Sequence, residues 1–208
     1  MELNLKIQLL LILTVLSFTT RGFSKTSFLP KSFQTSFVQE YKSALKGKKR
    51  KSHGVIEYAY PSQIRFEVSK PDKLVYISNQ KTSWYYSAPY IDGEPGTVSV
   101  RKSKKNGLHK FFDSLKKGLK SNKLYKVAKK GKMVTIKFNK KMIKELDIIE
   151  AQFQFKNKDM SFQSIEKILV TYSDQHKIKM EFKKIKINVP FKKGHFVFKA
   201  PKNTRVNQ

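Results

Sequence analysis

The fold is decided by residues 54–90, which read GVIEYAYPSQIRFEVSKPDKLVYISNQKTSWYYSAPY. Within this stretch QIRFEV, residues 63–68, alternates apolar and polar side chains, which is the period of a strand with one face in water. GVIEYAY and TSWYYS are further strand candidates, whereas LVYI is apolar on both faces. A Lys-Pro-Asp turn at 70–72 and an Asn-Gln-Lys turn at 79–81 separate the last three segments. The sequence therefore predicts a meander of four antiparallel strands.

More strands follow toward the carboxyl end of the chain. The candidates are TVSVRK (97–102), KMVTIKF (132–138), IIEAQFQF (148–155), SIEKILVTY (164–172) and IKMEFKKIKINV (178–189). In the last of them the apolar phase flips between Phe182 and Ile185, so one extra residue is required near Lys183-Lys184. A β-bulge supplies such a residue and bends the strand. Strong bending of a long strand is what a half-closed barrel needs.

Two segments have helical spacing. Leu108, Phe111, Phe112, Leu115 and Leu119 recur as one apolar face, which predicts an amphipathic helix. This helix either packs permanently on the sheet or forms a lid over a cavity. NKKMIKEL, residues 139–146, predicts a short helical turn. Periodicity leaves residues 26–34 open between a short helix and the approach to a strand that includes Phe37.

Together these segments predict a mainly β (α+β) fold, a single unclosed antiparallel β-barrel in which one strongly curved sheet carries short helices over an apolar cavity. A β-sandwich satisfies the same alternation. The aromatic content, with 16 Phe, 9 Tyr and 1 Trp, favours a cavity that has an apolar wall and a wet mouth, since buried Tyr hydroxyls need a partner. A thick solid core is the alternative.

The amino terminus predicts export. Residues 1–24 combine Lys6, an apolar run too short to span a bilayer and small residues before position 25, as a secretory signal peptide does; a retained membrane anchor is the alternative. Residues 25–208 then form one domain. Because the chain has no Cys, that domain is expected to be held together by packing without disulfides, and a soluble protein is favoured over one anchored by an acylated Cys.

The formal net charge of +29 raises the question of an anionic partner. Only five of the 44 basic residues are Arg, and Lys is the poorer residue for bidentate phosphate recognition, so no nucleic-acid partner is predicted. Transient contact with anionic lipid head groups and plain solubility remain open. The basic run at 46–54 is predicted to be a solvated hairpin loop, with a polyanion site as the alternative.

The sequence offers no catalytic pattern. The four His residues have no metal-ligand spacing, and no nucleophile elbow, P-loop or dinucleotide fingerprint occurs. We therefore predict a protein that is not an enzyme and that needs no cofactor or metal.

Two blocks of sequence resemble the periplasmic lipoprotein-carrier family of the LolA type. The first block is the strand, Tyr-Pro, Ile-Arg-Phe-Glu, Lys-Pro and Trp-Tyr-Tyr order within residues 54–86. The second is the closing hairpin from Thr171 and the ending F-x-F-x-x-P, carried by Phe196, Phe198 and Pro201, before Val206. The resemblance extends from about Phe33 to Val206.

This resemblance implies a monomeric periplasmic chaperone. Its partners would be acylated lipoproteins, an inner-membrane ABC-type lipoprotein release complex and an outer-membrane lipoprotein receptor. The apolar cavity is predicted to include Ile56, Tyr58, Ile64, Phe66, Val68, Leu74, Tyr76, Trp84, Tyr86, Phe153, Phe155, Met180 and Phe182. The predicted lid is formed by Leu108, Phe111, Phe112 and Leu115.

In the family, an Arg before the Pro of the first strand motif latches the lid. Tyr60 occupies that position here, so the family latch is absent. Tyr60 and Arg65 are the two candidates to replace it. The alternative function is that of a basic envelope protein that binds lipid or anionic polymer at its surface without transferring cargo. A deep apolar pocket separates the two functions.

Overall fold

A computed structural model describes residues 27–42, 47–103 and 108–207. The predicted signal peptide, residues 1–24, lies outside the described residues. The first described element is a strand that begins at Ser32, which decides the choice between helix and strand that periodicity had left open.

One large sheet holds the twelve strands of the described residues. These are β1 (Ser32–Lys42), β2 (Lys49–Ala59), β3 (Gln63–Lys70), β4 (Leu74–Ser78), β5 (Thr82–Ser87), β6 (Gly96–Lys102), β7 (Tyr125–Lys130), β8 (Met133–Phe138), β9 (Ile148–Phe155), β10 (Ile165–Tyr172), β11 (Lys177–Ile187) and β12 (Thr204–Asn207). Their order is β12-β6-β5-β4-β3-β2-β1-β11-β10-β9-β8-β7, so in the described part of the chain the sheet is curved and does not close. The predicted fold class is confirmed. Among the described strands, β12 and β6 are the one parallel pair.

The centre of the sheet is β1, which pairs with β2 on one side and with β11 on the other. Gly54 of β2 lies opposite Phe37 of β1. A Cβ atom added at Gly54 would come within 2.1 Å of the Glu67 carbonyl oxygen and 2.6 Å of the Phe37 ring. The Gly that opens the first motif is therefore required because three strands and an aromatic ring meet there.

The predicted bulge is present in β11. Ser36 of β1 pairs with Lys183 and Gln34 pairs with Lys186, so β11 holds one residue more than β1 between these pairs. Lys184 takes the left-handed conformation, with φ of 55°. The Lys183 carbonyl accepts hydrogen bonds from Thr35 Oγ1 at 3.0 Å and Ser36 Oγ at 3.1 Å. These hydroxyls fix the position of the bulge and with it the bend of the strand.

Two short helices lie on the concave face of the sheet. The first is α1 (Leu108–Ser114), continued by one 3₁₀ turn at Leu115–Lys117, and the second is α2 (Lys140–Leu146). The Asn139 side chain caps α2 by accepting a hydrogen bond from the Met142 N–H at 2.8 Å. The main core surrounds these helices and includes residues of β1–β3 and of β7–β11.

The convex face carries a second, smaller core. Val75, Ile77, Tyr86 and Val98 form it together with Phe196 from the chain after β11. Phe198 also packs there, with its ring centroid 5.3 Å from that of Tyr86. The F-x-F ending of the sequence therefore fastens the carboxyl-terminal segment across the outside of the sheet.

The basic run at 46–54 was wrongly predicted to be a loop. Residues Lys49–His53 belong to β2 and pair with β1 as far as Lys42. Alternation continues through the lysines because Ser52 and Gly54 are buried while Lys51 and His53 are exposed. The high charge of the run hid a regular strand.

Candidate functional site

A cavity of about 930 Å³ opens on the concave face, beside α1. Its apolar wall is formed mainly by Phe66, Val68, Leu74, Tyr76, Ile178 and Met180. Cross-strand pairing explains this wall, since Phe66 lies opposite Tyr76 and Val68 opposite Leu74 on one face of the sheet. We call this part of the concave face the open end.

The rest of the concave face is filled. Phe111, Phe112 and Leu115 of α1 and its 3₁₀ turn are at most 2% exposed. The Phe112 ring centroid lies 5.1 Å from that of Phe33 and 5.5 Å from that of Tyr58, and Phe111 stacks on Phe153. We call this part the filled end. Such burial and ring contact are those of an ordinary core.

The predicted cavity residues are divided between these two ends. Six border the cavity, namely Phe66, Val68, Leu74, Tyr76, Trp84 and Met180. Six others belong to the core of the filled end and do not border the cavity, namely Ile56, Tyr58, Ile64, Phe153, Phe155 and Phe182. Alternation identified the correct face for all of these except Trp84, but it carries no information about which part of that face is covered.

Tyr86 was wrongly assigned to the cavity. It pairs with Val75, and both side chains are buried in the core of the convex face. Trp84 points to the same convex face and packs against that core, although part of the residue borders the cavity. Aromatic residues follow one another in β5, so composition does not show which of them face inward. The cavity side of this strand is instead occupied by Ser83, Tyr85 and Ser87.

The predicted lid helix lies at the boundary between the two ends. Leu108 at its beginning borders the cavity, whereas Phe111, Phe112 and Leu115 are buried at the filled end. Leu119 is buried as well, at 8% exposure. In this conformation α1 is a plug at one end of the concave face, and its movement as a lid stays a prediction.

The two latch candidates have different surroundings. Tyr60 is 43% exposed and its ring lies 5.1 Å from Lys116 Nζ, next to the 3₁₀ turn that follows α1. The assignment of Arg65 as a latch candidate is wrong, because Arg65 lies on the convex face. There its guanidinium group pairs with Glu67 at 2.9 Å and approaches Glu57 at 4.0 Å. Arg65 therefore fixes strand neighbours and cannot reach α1.

Asp113 of α1 makes the contacts that a latch would make, and the sequence analysis missed it. Its Oδ1 accepts hydrogen bonds from the Tyr58 hydroxyl and, at 3.1 Å, from the Ser62 N–H. Its Oδ2 accepts from Ser62 Oγ at 2.7 Å. Burial raises the pKa of Tyr58, and the Asp113 carboxylate raises it further, so the hydroxyl stays a donor. Asp113 is the one acidic residue between Glu94 and Glu145, a signal that the sequence did contain.

The histidines are dispersed. His195 Nε2 lies 2.7 Å from Glu57 Oε2 on the convex face, and His176 stacks on Tyr172. His109 of α1 is buried, its Nδ1 has no hydrogen-bond partner among the described residues, and burial lowers its pKa. Within the same residues no three His, Asp or Glu side chains come together as a metal-binding group. No helix in the described ranges is long and apolar enough to cross a bilayer.

Exposed lysines gather around the outer ends of the two helices. The Lys123 carbonyl accepts a 2.6 Å hydrogen bond from Asn139 Nδ2, which brings the segment after α1 next to α2. The exposed lysines of these segments are Lys116, Lys117, Lys120, Lys123, Lys140, Lys141 and Lys144. None of them takes part in the ion pairs found among residues 27–42, 47–103 and 108–207.

A curved, unclosed sheet with helices and an apolar cavity on its concave face defines a cavity-bearing half-barrel. Residues 30–199 match the model of the family described as "Outer membrane lipoprotein carrier protein LolA". The chain therefore belongs to the LolA family, as its two sequence blocks had indicated.

Comparison with known proteins gives the following relatives. The chain is 27% identical over 189 residues to an outer-membrane lipoprotein carrier protein of Vibrio parahaemolyticus serotype O3:K6, covering 88% of this chain and 83% of that protein. It is 27% identical over 177 residues to the protein of the same name from Vibrio campbellii, covering 84% and 78%. Among solved structures, a LolA-superfamily protein from Nitrosomonas europaea aligns with a TM-score of 0.47 at 6% identity, over 81% of this chain and 91% of that one.

Proposed function

We propose that this chain is a periplasmic carrier that holds the acyl chains of lipoproteins in the open end and moves them from the inner to the outer membrane. The observation that carries the proposal is the apolar wall from Phe66 to Met180, which borders about 930 Å³ of space in a member of the LolA family. A volume of this size and a mainly apolar lining are typical of sites that bind small apolar molecules.

The binding free energy of acyl chains requires a site that does not enclose them completely in its resting form. Each buried methylene contributes about 0.8 kcal/mol, so several long chains would exceed the roughly 20 kcal/mol at which non-covalent affinities saturate. A carrier must release what it binds. A cavity that is open to water on one side, next to a helix that has to move to enlarge it, keeps the net affinity within a reversible range.

The plug helix α1 supplies the movable part in this proposal. Moving α1 would add the space now taken by Phe111 and Phe112 to the open end. The hydrogen bonds of Asp113 to Tyr58 and Ser62 oppose that movement. Bonds to a charged acceptor each contribute about 1.5 to 3 kcal/mol, so this latch is strong enough to hold the empty form closed and weak enough for cargo to open it.

The proposed wider setting of the carrier is that of its family. Residues 1–24 would be removed as a signal peptide during export, leaving residues 25–208 as one monomeric domain in the periplasm. The donor would be an inner-membrane ABC-type release complex and the acceptor an outer-membrane lipoprotein receptor. The carrier itself would perform no covalent chemistry and would need no cofactor.

Native mass spectrometry of protein purified from a cell envelope tests this proposal. We expect a bound lipid or lipopeptide on the wild type and a strong loss of it in Val68→Asn, which makes the cavity wall polar. Val55→Asn is the matched control, because Val55 lies on the exposed face of the neighbouring strand at 36% exposure. Empty wild-type protein that also fails to bind acyl probes in solution would contradict the proposal.

The lysines at the outer ends of the helices support the second candidate, surface binding of anionic lipid or polymer without cargo transfer. Each well-placed Lys contributes about 1 kcal/mol of attraction to an anionic membrane. The fraction of protein that sediments with anionic vesicles should then be lower in the triple variant Lys140→Gln, Lys141→Gln and Lys144→Gln. If that variant still bound acyl probes, and only vesicle binding were lost, the two functions would be separable.

A further inference from the structure

The cavity has a second wall, and this wall is polar. It is built by the inward positions of β5 and β6, namely Ser83, Tyr85, Ser87, Ser99 and Arg101. Ser83 pairs with Arg101 and Tyr85 pairs with Ser99, so hydroxyl groups and a guanidinium group lie side by side on one surface. The opposite wall, from Phe66 to Met180, is apolar. An amphipathic ligand would match both walls.

The charge at this wall is positive. Arg101 borders the cavity from the inward face of β6, and Lys102, whose partner Thr82 is on the outward face, borders it as well. Both are exposed, and neither takes part in the ion pairs of the described ranges. Lys73 also borders the cavity and is 3.9 Å from Glu67 Oε1. Asp72 is the one carboxylate among the cavity-lining residues of the described ranges. Cations without carboxylate partners beside hydroxyl donors form a site for an anion.

We propose that the cavity selects amphiphiles with an anionic head group, of which a phospholipid with a net negative head is the representative. The acyl chains lie against Phe66, Tyr76 and Met180, and the acidic group is bound by Arg101 with a hydrogen bond from Ser99. Lys102 adds positive charge next to this group. The planar guanidinium group of Arg101 suits two oxygen atoms of one phosphate. This inference rests on the proposed function, because it uses the same apolar wall, and it adds anionic amphiphiles to the lipoproteins proposed above as cargo.

Isothermal titration calorimetry with two short-chain lipids tests the inference. Dioctanoyl phosphatidylglycerol and dioctanoyl phosphatidylcholine are used below their micelle concentrations, since they have the same chains and differ in the charge of the head. We expect the wild type to bind the anionic lipid at least about tenfold more tightly, as charge-assisted hydrogen bonds would give. Raising the salt concentration should reduce this ratio.

Variants locate the effect. Arg101→Gln combined with Lys102→Gln should bring the anionic lipid to the affinity of the zwitterionic one and leave the latter unchanged. Arg205→Gln is the matched control, because Arg205 is an exposed Arg in β12 and does not border the cavity. Dodecyl phosphate, dodecanoate and inorganic phosphate distinguish a phosphate head, a carboxylate head and a free ion.

The outcomes separate this inference from the proposed function. Equal affinity for both lipids in the wild type, or a preference that survives in the double variant, would overturn the inference while leaving acyl binding intact. Binding of neither lipid would overturn the carrier proposal and this inference with it. Tight binding of inorganic phosphate with no gain from an alkyl chain would also overturn the inference.

Discussion

The open end and the filled end lie on the same face of the same sheet, yet one is a cavity and the other is solid core. Strand β3 shows the difference within a few residues, since Ile64 is 0% exposed beneath α1 while Val68, on the same side of the strand, borders the cavity. Both residues follow the same alternation. The strands therefore determine which face is apolar, and the helix determines which part of that face remains uncovered.

The largest expected effect is on stability at the filled end. Phe112→Ala should lower the free energy of unfolding by about 3–5 kcal/mol, because it removes a ring that is 1% exposed and contacts three other aromatic rings. Urea unfolding followed by circular dichroism measures this loss. A loss below 1 kcal/mol would mean that α1 is not fixed in the core.

Phe66→Ala is the matched change at the open end. We expect a smaller loss of stability, about 1 kcal/mol, since the ring is only half-buried and, among the described residues, stacks on Phe37 alone, at 4.8 Å. Affinity for a fluorescent acyl probe should instead fall about tenfold, as loss of one aromatic contact surface implies. If Phe112→Ala and Phe66→Ala had equal effects on both measurements, the distinction between the two ends would fail.

The boundary between the two ends is tested at Asp113. Asp113→Ala leaves the buried Tyr58 hydroxyl and the Ser62 donors without their acceptor, which should cost about 1–3 kcal/mol. Amide hydrogen exchange in residues 108–117 should become faster, and the acyl probe should bind more tightly because opening is easier. Asp113→Asn keeps an acceptor oxygen and serves as the control. Unchanged exchange in the Ala variant would show that this carboxylate does not hold the helix.

A smaller effect is expected at Tyr60, next to the same helix. Tyr60→Leu removes the ring beside Lys116, an interaction worth about 0.5–1 kcal/mol at an exposed site. Exchange at residues 115–117 should become slightly faster, and Tyr60→Phe should retain the wild-type rate. Equal rates in the Leu and Phe variants, both faster than wild type, would mean that the hydroxyl matters and the ring does not.

The smallest expected effect is a shallow pH dependence that arises at the filled end. Burial lowers the pKa of His109, and the Lys110 charge adds to this shift while Asp113 opposes it. The unfolded value is about 6.5, so this contribution to stability is complete above that pH. It is lost as the pH falls toward the depressed folded value. Melting temperatures between pH 7.5 and 5 should decline more steeply for wild type than for His109→Gln; identical slopes would contradict this.

The sheet could be predicted because its information is local. Alternation in residues 63–68 and the phase flip after Phe182 depend on neighbours in sequence, and they gave the strand faces and the bulge correctly. The facing of β5 could not be obtained in this way, because Trp84, Tyr85 and Tyr86 are all aromatic and local pattern does not rank them. Neighbouring β4 is apolar on both faces for a physical reason, since one face borders the cavity and the other lies under Phe196.

The contacts around the candidate latch join residues that are distant in sequence. Asp113 meets Ser62 across 51 residues, and nothing near either of them in sequence indicates the partner. Arg65 illustrates the reverse error, because its position in a motif suggested a latch, whereas its place on an odd-numbered position of β3 puts it on the convex face with Glu67. Face assignment, which was correct for β3, would have been sufficient to reject it.

The central position of β1 has a consequence for how the chain folds. Its contact with β11 joins residues 148 positions apart, as Thr35 and Lys183 show. While the chain is being made, β1 can pair with β2, but its other edge keeps unpaired N–H and C=O groups until almost the whole sequence is available. Folding dominated by such distant pairings is slow, and an open edge strand invites pairing with other chains. A nascent chain of this topology therefore has a long interval of exposure to aggregation, and the basic residues Lys49, Arg50 and Lys51 of β2, which are already made, supply repulsion during that interval.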